Sequence, residues 1–287
     1  MRGSLDKKID NDNVAQLLRT FPKKQLTASS DVASNPTIKG TRMGKIALLF
    51  AMFFLPAVVF ASVPVAQIAP LAPVSKELKK QLLGTPVYIQ IFKEERTLEL
   101  YGKIGNDYRL LNSYRICNFS GGLGPKRRQG DFKSPEGFYS VGLSQLKPDS
   151  RFYRAINTGF PNEYDRQQGY EGKYLMIHGS CVSIGCYAMT DTNIDEIYHY
   201  VEAALRNGQP RVEVSIYPFR MTDSNLQRHR YSVYYSFWQQ LQPGYAEFVQ
   251  NRQPPSISVS GGKYVLNNAV LNSTPVNQSA LALSEAK

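Results

Sequence analysis

Much that would announce a function is missing from this chain of 287 residues. It has no heptads, no repeat of fixed period and no long block of like charge, which excludes coiled coils, solenoids and charged interaction tails. It has no helix-turn-helix, RNA-recognition or zinc-finger pattern, so its net charge of +11 is not read as nucleic-acid binding. A scattered basic excess suits an anionic lipid surface or an acidic polymer instead. Lys126-Arg127-Arg128 is the tight basic group; it reads either as solvated charge or as an anchor for carboxylates.

The apolar run Ile46–Phe60 falls short of the roughly 20 residues that span a bilayer, and Pro56 interrupts it. With Lys45 before it and Val59-Phe60-Ala61 at its end, it reads as an export signal over 43–61, cleaved after Ala61. An uncleaved anchor is the competing reading. Residues 1–42 are polar, carry Asp6, Asp10, Asp12 and Asp31, and fit no signal n-region; they are a non-native or disordered extension. Residues 62–74 read as a linker, 75–255 as the mature domain, and 256–287 as a tail.

Only three cysteines are present, Cys117, Cys181 and Cys186. In an oxidising compartment three cannot all pair within one chain, so at least one stays free, reacts or bonds elsewhere.

The mature chain reads as strands first and helices late. Helical spacing over 75–83 ends at Gly84. Strands are expected over 86–92, 97–101, 108–116 and 138–141, with turns at Gly102 and Gly105-Asn106-Asp107. A short apolar strand, 174–177, delivers His178. Asp191 to Arg206 is an amphipathic helix with Ile194, Ile197, Val201 and Leu205 on one face. Arg211 to Tyr217 is a strand, and 223–249 is helical with a break at Pro243-Gly244. Ser256 to Leu266 forms a hairpin through Gly261-Gly262, and the last twenty residues read as disordered. The fold class is α+β, with a mainly antiparallel β core.

The informative stretch runs from Tyr174 to Asp191. An apolar strand ends in His178-Gly179, and a small polar loop presents Ser183-Ile184-Gly185-Cys186. Cysteine attacks as thiolate, favoured beside an imidazole. Gly185 permits a sharp turn that frees backbone N–H groups for an oxyanion. Two other readings compete. His178, Cys181, Cys186 and His199 could bind metal, though a fourth ligand is not evident. Cys117 could form a structural disulfide with either of the other cysteines.

His-Gly followed by Ser-x-Gly-Cys resembles the L,D-transpeptidase (YkuD-type) catalytic domain. Ile116-Cys-Asn-Phe-Ser-Gly, Leu123-Gly-Pro-Lys, Gly130-Asp-Phe-Lys-Ser-Pro-Glu-Gly-Phe-Tyr and Tyr217-Pro-Phe-Arg-Met-Thr-Asp resemble its YafK-like branch. The likeness spans about residues 75–255. It implies a periplasmic enzyme, without cofactor or metal, acting on the peptidoglycan stem peptide at meso-diaminopimelate. Cys186 would be the nucleophile, His178 the base, and the Gly179 carbonyl its orienter. Gly185 and Cys186 would donate oxyanion N–H groups, with Ser183 in support and Lys126, Arg127 and Arg128 gripping the stem. The branch implies hydrolysis that frees a peptidoglycan-linked lipoprotein; no nucleic acid and no stable membrane partner are expected. Ile184 stands where the family carries a second histidine, and Ala188 where it carries Arg or Asn. The spacing of eight from His178 to Cys186 is also short. Transpeptidation and an inactive wall-binding module are the alternatives.

Overall fold

Strand β1 (Val87–Phe92) is buried along its whole length and lies at the centre of a five-stranded sheet. A computed structural model describes residues 72–267. The extension, the export signal, most of the linker and residues 268–287 lie outside the described residues.

The chain enters through α1 (Lys76–Gln81), capped by the Ser75 hydroxyl, which accepts from Leu78 N at 3.2 Å. β1 then pairs antiparallel with β2 (Thr97–Ile104), which pairs with β3 (Asp107–Arg115). On its other side β1 runs parallel to β9 (Val212–Tyr217), and β9 pairs antiparallel with β4 (Gly137–Val141). The five-stranded order is therefore β3-β2-β1-β9-β4. β1 takes no solvated face because both of its faces are covered. Val87, Ile89 and Ile91 join the larger core beneath α3 (Asp191–Arg206), while Phe92 joins an aromatic core beneath α5 (Tyr235–Asn251).

A second sheet has the order β5-β6-β7-β8, built from β5 (Leu146–Ser150), β6 (Tyr153–Asn157), β7 (Met176–His178) and β8 (Tyr187–Ala188). Ile177 and Tyr187 of this sheet share the larger core with Ile194, Ile197 and Val201 of α3. The same helix thus buries its apolar stripe against both sheets. Truncating a side chain such as Ile197 to alanine would cost about 2–5 kcal/mol. The fold is α+β with mostly antiparallel pairing, as the sequence order implied.

Three expectations need revision. Gly102 lies inside β2, opposite Arg109, and is not a turn. A Cβ there would sit 3.0 Å from the Leu111 methyls, so glycine serves close strand packing. Residues 223–249 are two helices, α4 (Asp223–Arg228) and α5, separated at 229–234, and α5 continues through Pro243. Gly244 lets that helix press against Phe138, whose ring would come within 2.6 Å of an added Cβ. Tertiary packing here outweighs the backbone hydrogen bond that Pro243 removes. The short helix α2 (Glu163–Gln167) and strands β5, β6 and β8 fall in stretches where the sequence gives no clear periodicity. The hairpin β10 (Ile257–Ser260) and β11 (Lys263–Leu266) closes at Gly261-Gly262 as expected, and Tyr264 packs into the aromatic core.

Candidate active site

β7 is the element that brings the site together. It runs parallel to β8, with Ile177 opposite Tyr187 and His178 opposite Ala188. Side chains alternate along a strand, so Ile177 and Tyr187 point into the core while Met176 and His178 take the other face. Extending the register one residue back sets Cys186 beside Met176. The thiol of Cys186 lies 3.5 Å from the carbonyl oxygen of Tyr174, and the Met176 backbone also hydrogen-bonds it. Cys186 and His178 thus share one face, offset by two residues along the ribbon, and both line one cavity of 430 Å³.

His178 is fixed from several sides. Its Nδ1 lies 2.6 Å from the carbonyl oxygen of its neighbour Gly179, an arrangement that places the proton on Nδ1 and leaves Nε2 as the acceptor. Its ring packs against Phe152, tilted by 31° with centroids 4.8 Å apart. The Gly179 N–H donates to the Phe152 carbonyl at 3.0 Å, and a Cβ on Gly179 would collide with Asp191 Oδ1 at 2.4 Å. Asp191 Oδ1 in turn accepts from Ser180 N at 2.8 Å, which ties the loop to the start of α3.

Burial pushes the His178 imidazole below its ordinary range, against the Gly179 hydrogen bond that raises it. Burial also pushes the Cys186 thiol up, against the Met176 hydrogen bond and the Lys126 charge that lower it. Both directions favour a resting pair of neutral thiol and neutral imidazole over a preformed thiolate–imidazolium pair.

Gly185 takes a left-handed φ of +142°, the turn that presents Cys186. Its N–H is already engaged, donating to Ser183 Oγ at 3.1 Å, while that hydroxyl donates to the Cys186 carbonyl at 2.6 Å. Ser183 therefore shapes the turn and occupies one N–H that the sequence suggested for an oxyanion.

Of the basic group, Lys126 lines the cavity, but it is buried and paired with Asp131 at 2.6 Å. Burial works to raise the Asp131 carboxyl. Lys126 and the N–H groups of Arg127, Arg128 and Lys133 outweigh it and hold the pKa down at about 2. Arg127 and Arg128 are exposed and do not line the cavity. Arg127 lies over the rings of Tyr170 and Tyr234. Lys173, which the sequence reading passed over, joins the lining.

The motif Lys133-Ser134-Pro135-Glu136 turns out to cradle the cysteine loop. Ser134 Oγ donates to the Cys186 carbonyl at 3.3 Å, and Tyr187 OH donates to the Pro135 carbonyl at 2.6 Å. Beneath them Glu136 pairs with Lys93 at 2.9 Å, both side chains fully buried. Glu136 also accepts from Gly124 N at 2.7 Å and Trp238 Nε1 at 2.8 Å, and Lys93 donates to the carbonyls of Gly124 and Ser134 at 3.0 Å. Burial pushes the Lys93 ammonium down and Glu136 pulls it back up. Lys93 at the end of an apolar strand was the signal that sequence reasoning missed.

Cys117 and Cys181 are joined in a disulfide with a Cα–Cα separation of 5.2 Å, leaving Cys186 as the free thiol. The Cys181 sulfur is thereby removed from the ligand set that the His-x2-Cys-x4-Cys spacing suggested. Beside the disulfide, Ala188 N donates to the Asn118 carbonyl at 2.8 Å.

A half-buried thiol and a buried imidazole open to one cavity, on an α+β fold, define a candidate thiol–imidazole site. Residues 86–214 match the YkuD L,D-transpeptidase catalytic domain. Over 247 residues the chain is 62% identical to a protein of Escherichia coli (strain K12) described as "Putative L,D-transpeptidase YafK"; the match covers 85% of this chain and 100% of that relative. The same figures hold for its counterpart in Escherichia coli O157:H7. The chain belongs to the L,D-transpeptidase family, and is thus a peptidoglycan-acting enzyme of the cell envelope. More distant likenesses join it to two solved structures. The helical cell shape determining protein Pgp2 of Campylobacter jejuni matches at TM-score 0.39 and 17% identity, over 65% of this chain and 80% of that one. Bd1075 of Bdellovibrio bacteriovorus matches at TM-score 0.34 and 19% identity, over 63% and 59%. Among the described residues no helix is long and apolar enough to cross a membrane.

Proposed function

We propose that this protein is a cysteine amidase of the periplasm. In this reading it cleaves the amide between meso-diaminopimelate of a peptidoglycan stem and the lysine side chain of a covalently attached lipoprotein. Cys186 is the nucleophile and His178 the base. The observation that carries the reading is the shared face of β7 and its neighbour, on which thiol and imidazole open into one cavity.

The chemistry follows from the neutral resting pair. As Cys186 Sγ attacks the amide carbonyl, its proton passes to His178 Nε2, so charge separates only when the new C–S bond forms. The Gly179 carbonyl, 2.6 Å from Nδ1, stabilises the imidazolium. Collapse of the tetrahedral intermediate breaks the C–N bond, and the lysine amine leaves with the proton from Nε2. Water, deprotonated by the same imidazole, then opens the thioester and restores the thiol. Transpeptidation differs in its acceptor, an amine in place of water. The export signal over 43–61 would deliver the enzyme.

The test is digestion of purified sacculi with the wild-type protein and with Cys186→Ala. Release of bound protein, with a stem newly ending in a free diaminopimelate carboxyl, is expected from the wild type alone. New cross-links would instead assign transpeptidation. Unchanged sacculi from both proteins would leave a wall-binding module.

A further inference from the structure

Phe152 sits at the tip of the hairpin that joins β5 to β6, where Ser150 pairs with Tyr153 and only Arg151 shares the tip. So tight a turn ordinarily carries glycine, asparagine or aspartate. Among the described residues Phe152 joins none of the three apolar cores, and it is 39% exposed. Its ring packs instead on the imidazole of His178, with centroids 4.8 Å apart and planes inclined by 31°. At that separation no water fits between the two rings. His178 is only 2% exposed, although both residues line the cavity that holds Cys186.

The backbone around the tip holds the ring where it is. The Phe152 carbonyl accepts from Gly179 N at 3.0 Å, and the Gly179 carbonyl oxygen lies 2.6 Å from His178 Nδ1. One residue thus meets the His178-Gly179 pair twice, by backbone and by ring. Gly179 makes the approach possible, since a Cβ there would come within 3.0 Å of the Phe152 carbonyl oxygen. Tyr153, next along, takes φ 70°, the left-handed region that a bulky residue disfavours. It is anchored from α3, where Asp195 accepts from Tyr153 OH at 3.2 Å and pairs with Arg154 at 3.1 Å. Strain at a hairpin tip persists only where the surroundings impose it, and the contact that this tip delivers is the one on His178.

The charged groups on the neighbouring elements are committed elsewhere or open to solvent. Asp191 accepts from Ser180 N, Asp195 is held by Tyr153 and Arg154, and Lys126 is paired with Asp131. Asp149 and Arg151 beside the tip, and Lys173 and Tyr174 in the cavity lining, are exposed. Cys186 shares the cavity as a thiol that burial pushes up. Burial lowers the His178 pKa and the Gly179 hydrogen bond raises it, and neither cause is a charge.

We propose that Phe152 is a positioning residue for the base: its ring shuts water from one face of His178 and holds the imidazole in plane for Cys186. The proposal rests on the reading of His178 as the base. A dry face disfavours the imidazolium, so the base stays neutral until it takes the Cys186 proton. The ring contact also stops the imidazole from tilting about its Nδ1 hydrogen bond.

The experiment follows His178 directly, by NMR titration of the full chain carrying isotope-labelled histidine. The chain has three histidines, and His178→Gln identifies the signal. Phe152→Ala should raise the proton affinity of His178 about tenfold, a shift of about one pH unit. Phe152→Asn, a residue suited to a hairpin tip, should do the same, and thermal melts establish that each variant is folded. Phe152→Tyr keeps the ring and should keep the wild-type affinity within about twofold. An unchanged titration in either folded variant that lacks the ring, or an equal shift in Phe152→Tyr, would overturn the proposal. Turnover of sacculi is scored separately, and its acid limb should move up together with the His178 signal. A limb that stays in place while the signal moves would remove His178 as the base, and the positioning role with it. Sacculi left intact by every protein, the wild type included, would sink the amidase reading, while a shifted titration would still support the shielding.

Discussion

Ser134 donates its hydroxyl to the carbonyl of Cys186 at 3.3 Å, while its own carbonyl accepts from the buried Lys93 ammonium at 3.0 Å. One residue thereby connects the candidate nucleophile to an ion pair that solvent does not reach. The loop that presents Cys186 rests on a polar network satisfied at every charged atom, which is the condition under which buried charge is tolerated.

Glu136→Gln is expected to destabilise the protein by about 3–5 kcal/mol, because it leaves the Lys93 ammonium buried without a counter-charge. Adding Lys93→Met should recover part of that loss, since the pair is then removed together. Urea unfolding of both variants measures this. A single variant as stable as the wild type would show that the pair contributes no constraint.

The opposite pushes on Cys186 and His178 predict a particular pH behaviour. Burial raises the thiol and lowers the imidazole. Alkylation of Cys186 by iodoacetamide should therefore keep rising with pH through and beyond the usual cysteine range. Turnover should hold to lower pH than an ordinary histidine allows, because His178 stays neutral there and able to accept a proton. His178→Gln should lower turnover by about 10²–10⁴-fold. An alkylation rate already flat between about pH 6 and 8 would reveal a preformed thiolate and contradict the neutral pair.

The Cys117–Cys181 disulfide closes a separation of 64 residues around the site. Its loss through Cys117→Ser with Cys181→Ser should reduce stability by about 2–4 kcal/mol. Because Cys181 sits between His178 and Cys186, turnover should fall beyond what the lost stability explains. Mass spectrometry of unreduced, alkylated protein should find the label on Cys186. Label on Cys117 or Cys181 before reduction would refute the pairing.

Asp165 predicts a second pH effect, in stability. Burial raises its pKa to about 6, against hydrogen bonds from Asn162 N and Tyr139 OH and the nearby Arg166 charge. The folded state thus binds a proton more tightly than the unfolded one, so stability falls as pH rises from about 4 to 6 and stays lower above. The drop should be about 1–3 kcal/mol, and Asp165→Asn should abolish it. A wild-type profile rising through that window would show that other carboxylates dominate.

The parts of this protein that were readable from sequence are those where one residue type serves one local purpose. The strand that delivers His178, the turn glycine before Cys186 and the stripe of Ile194, Ile197 and Val201 all announce themselves through period or spacing. Glu136 and Lys93 did not. Their meaning lies in a partner 43 residues away, and nothing in either neighbourhood names it. Arg127 and Arg128 misled for the opposite reason: a basic cluster beside a glycine-rich loop suggests a ligand, yet neither side chain lines the cavity. Gly102 and Pro243-Gly244 read as interruptions because glycine and proline usually are; here Leu111 and Phe138 fill the space that glycine leaves.

His178 and Cys186 lie on adjoining chain segments whose alignment is set by the parallel pairing of Ile177 with Tyr187. The distance between base and nucleophile is therefore independent of how many residues lie between them. Val182 and Ile184 can change character without moving the reacting atoms, provided the two strands stay in step and Ser180, Cys181 and Ser183 keep their bonds. In this chain that segment is short, and it carries Val182 and Ile184 at the mouth. Variation confined to those two side chains would alter what the enzyme admits while leaving what it does to the bond untouched.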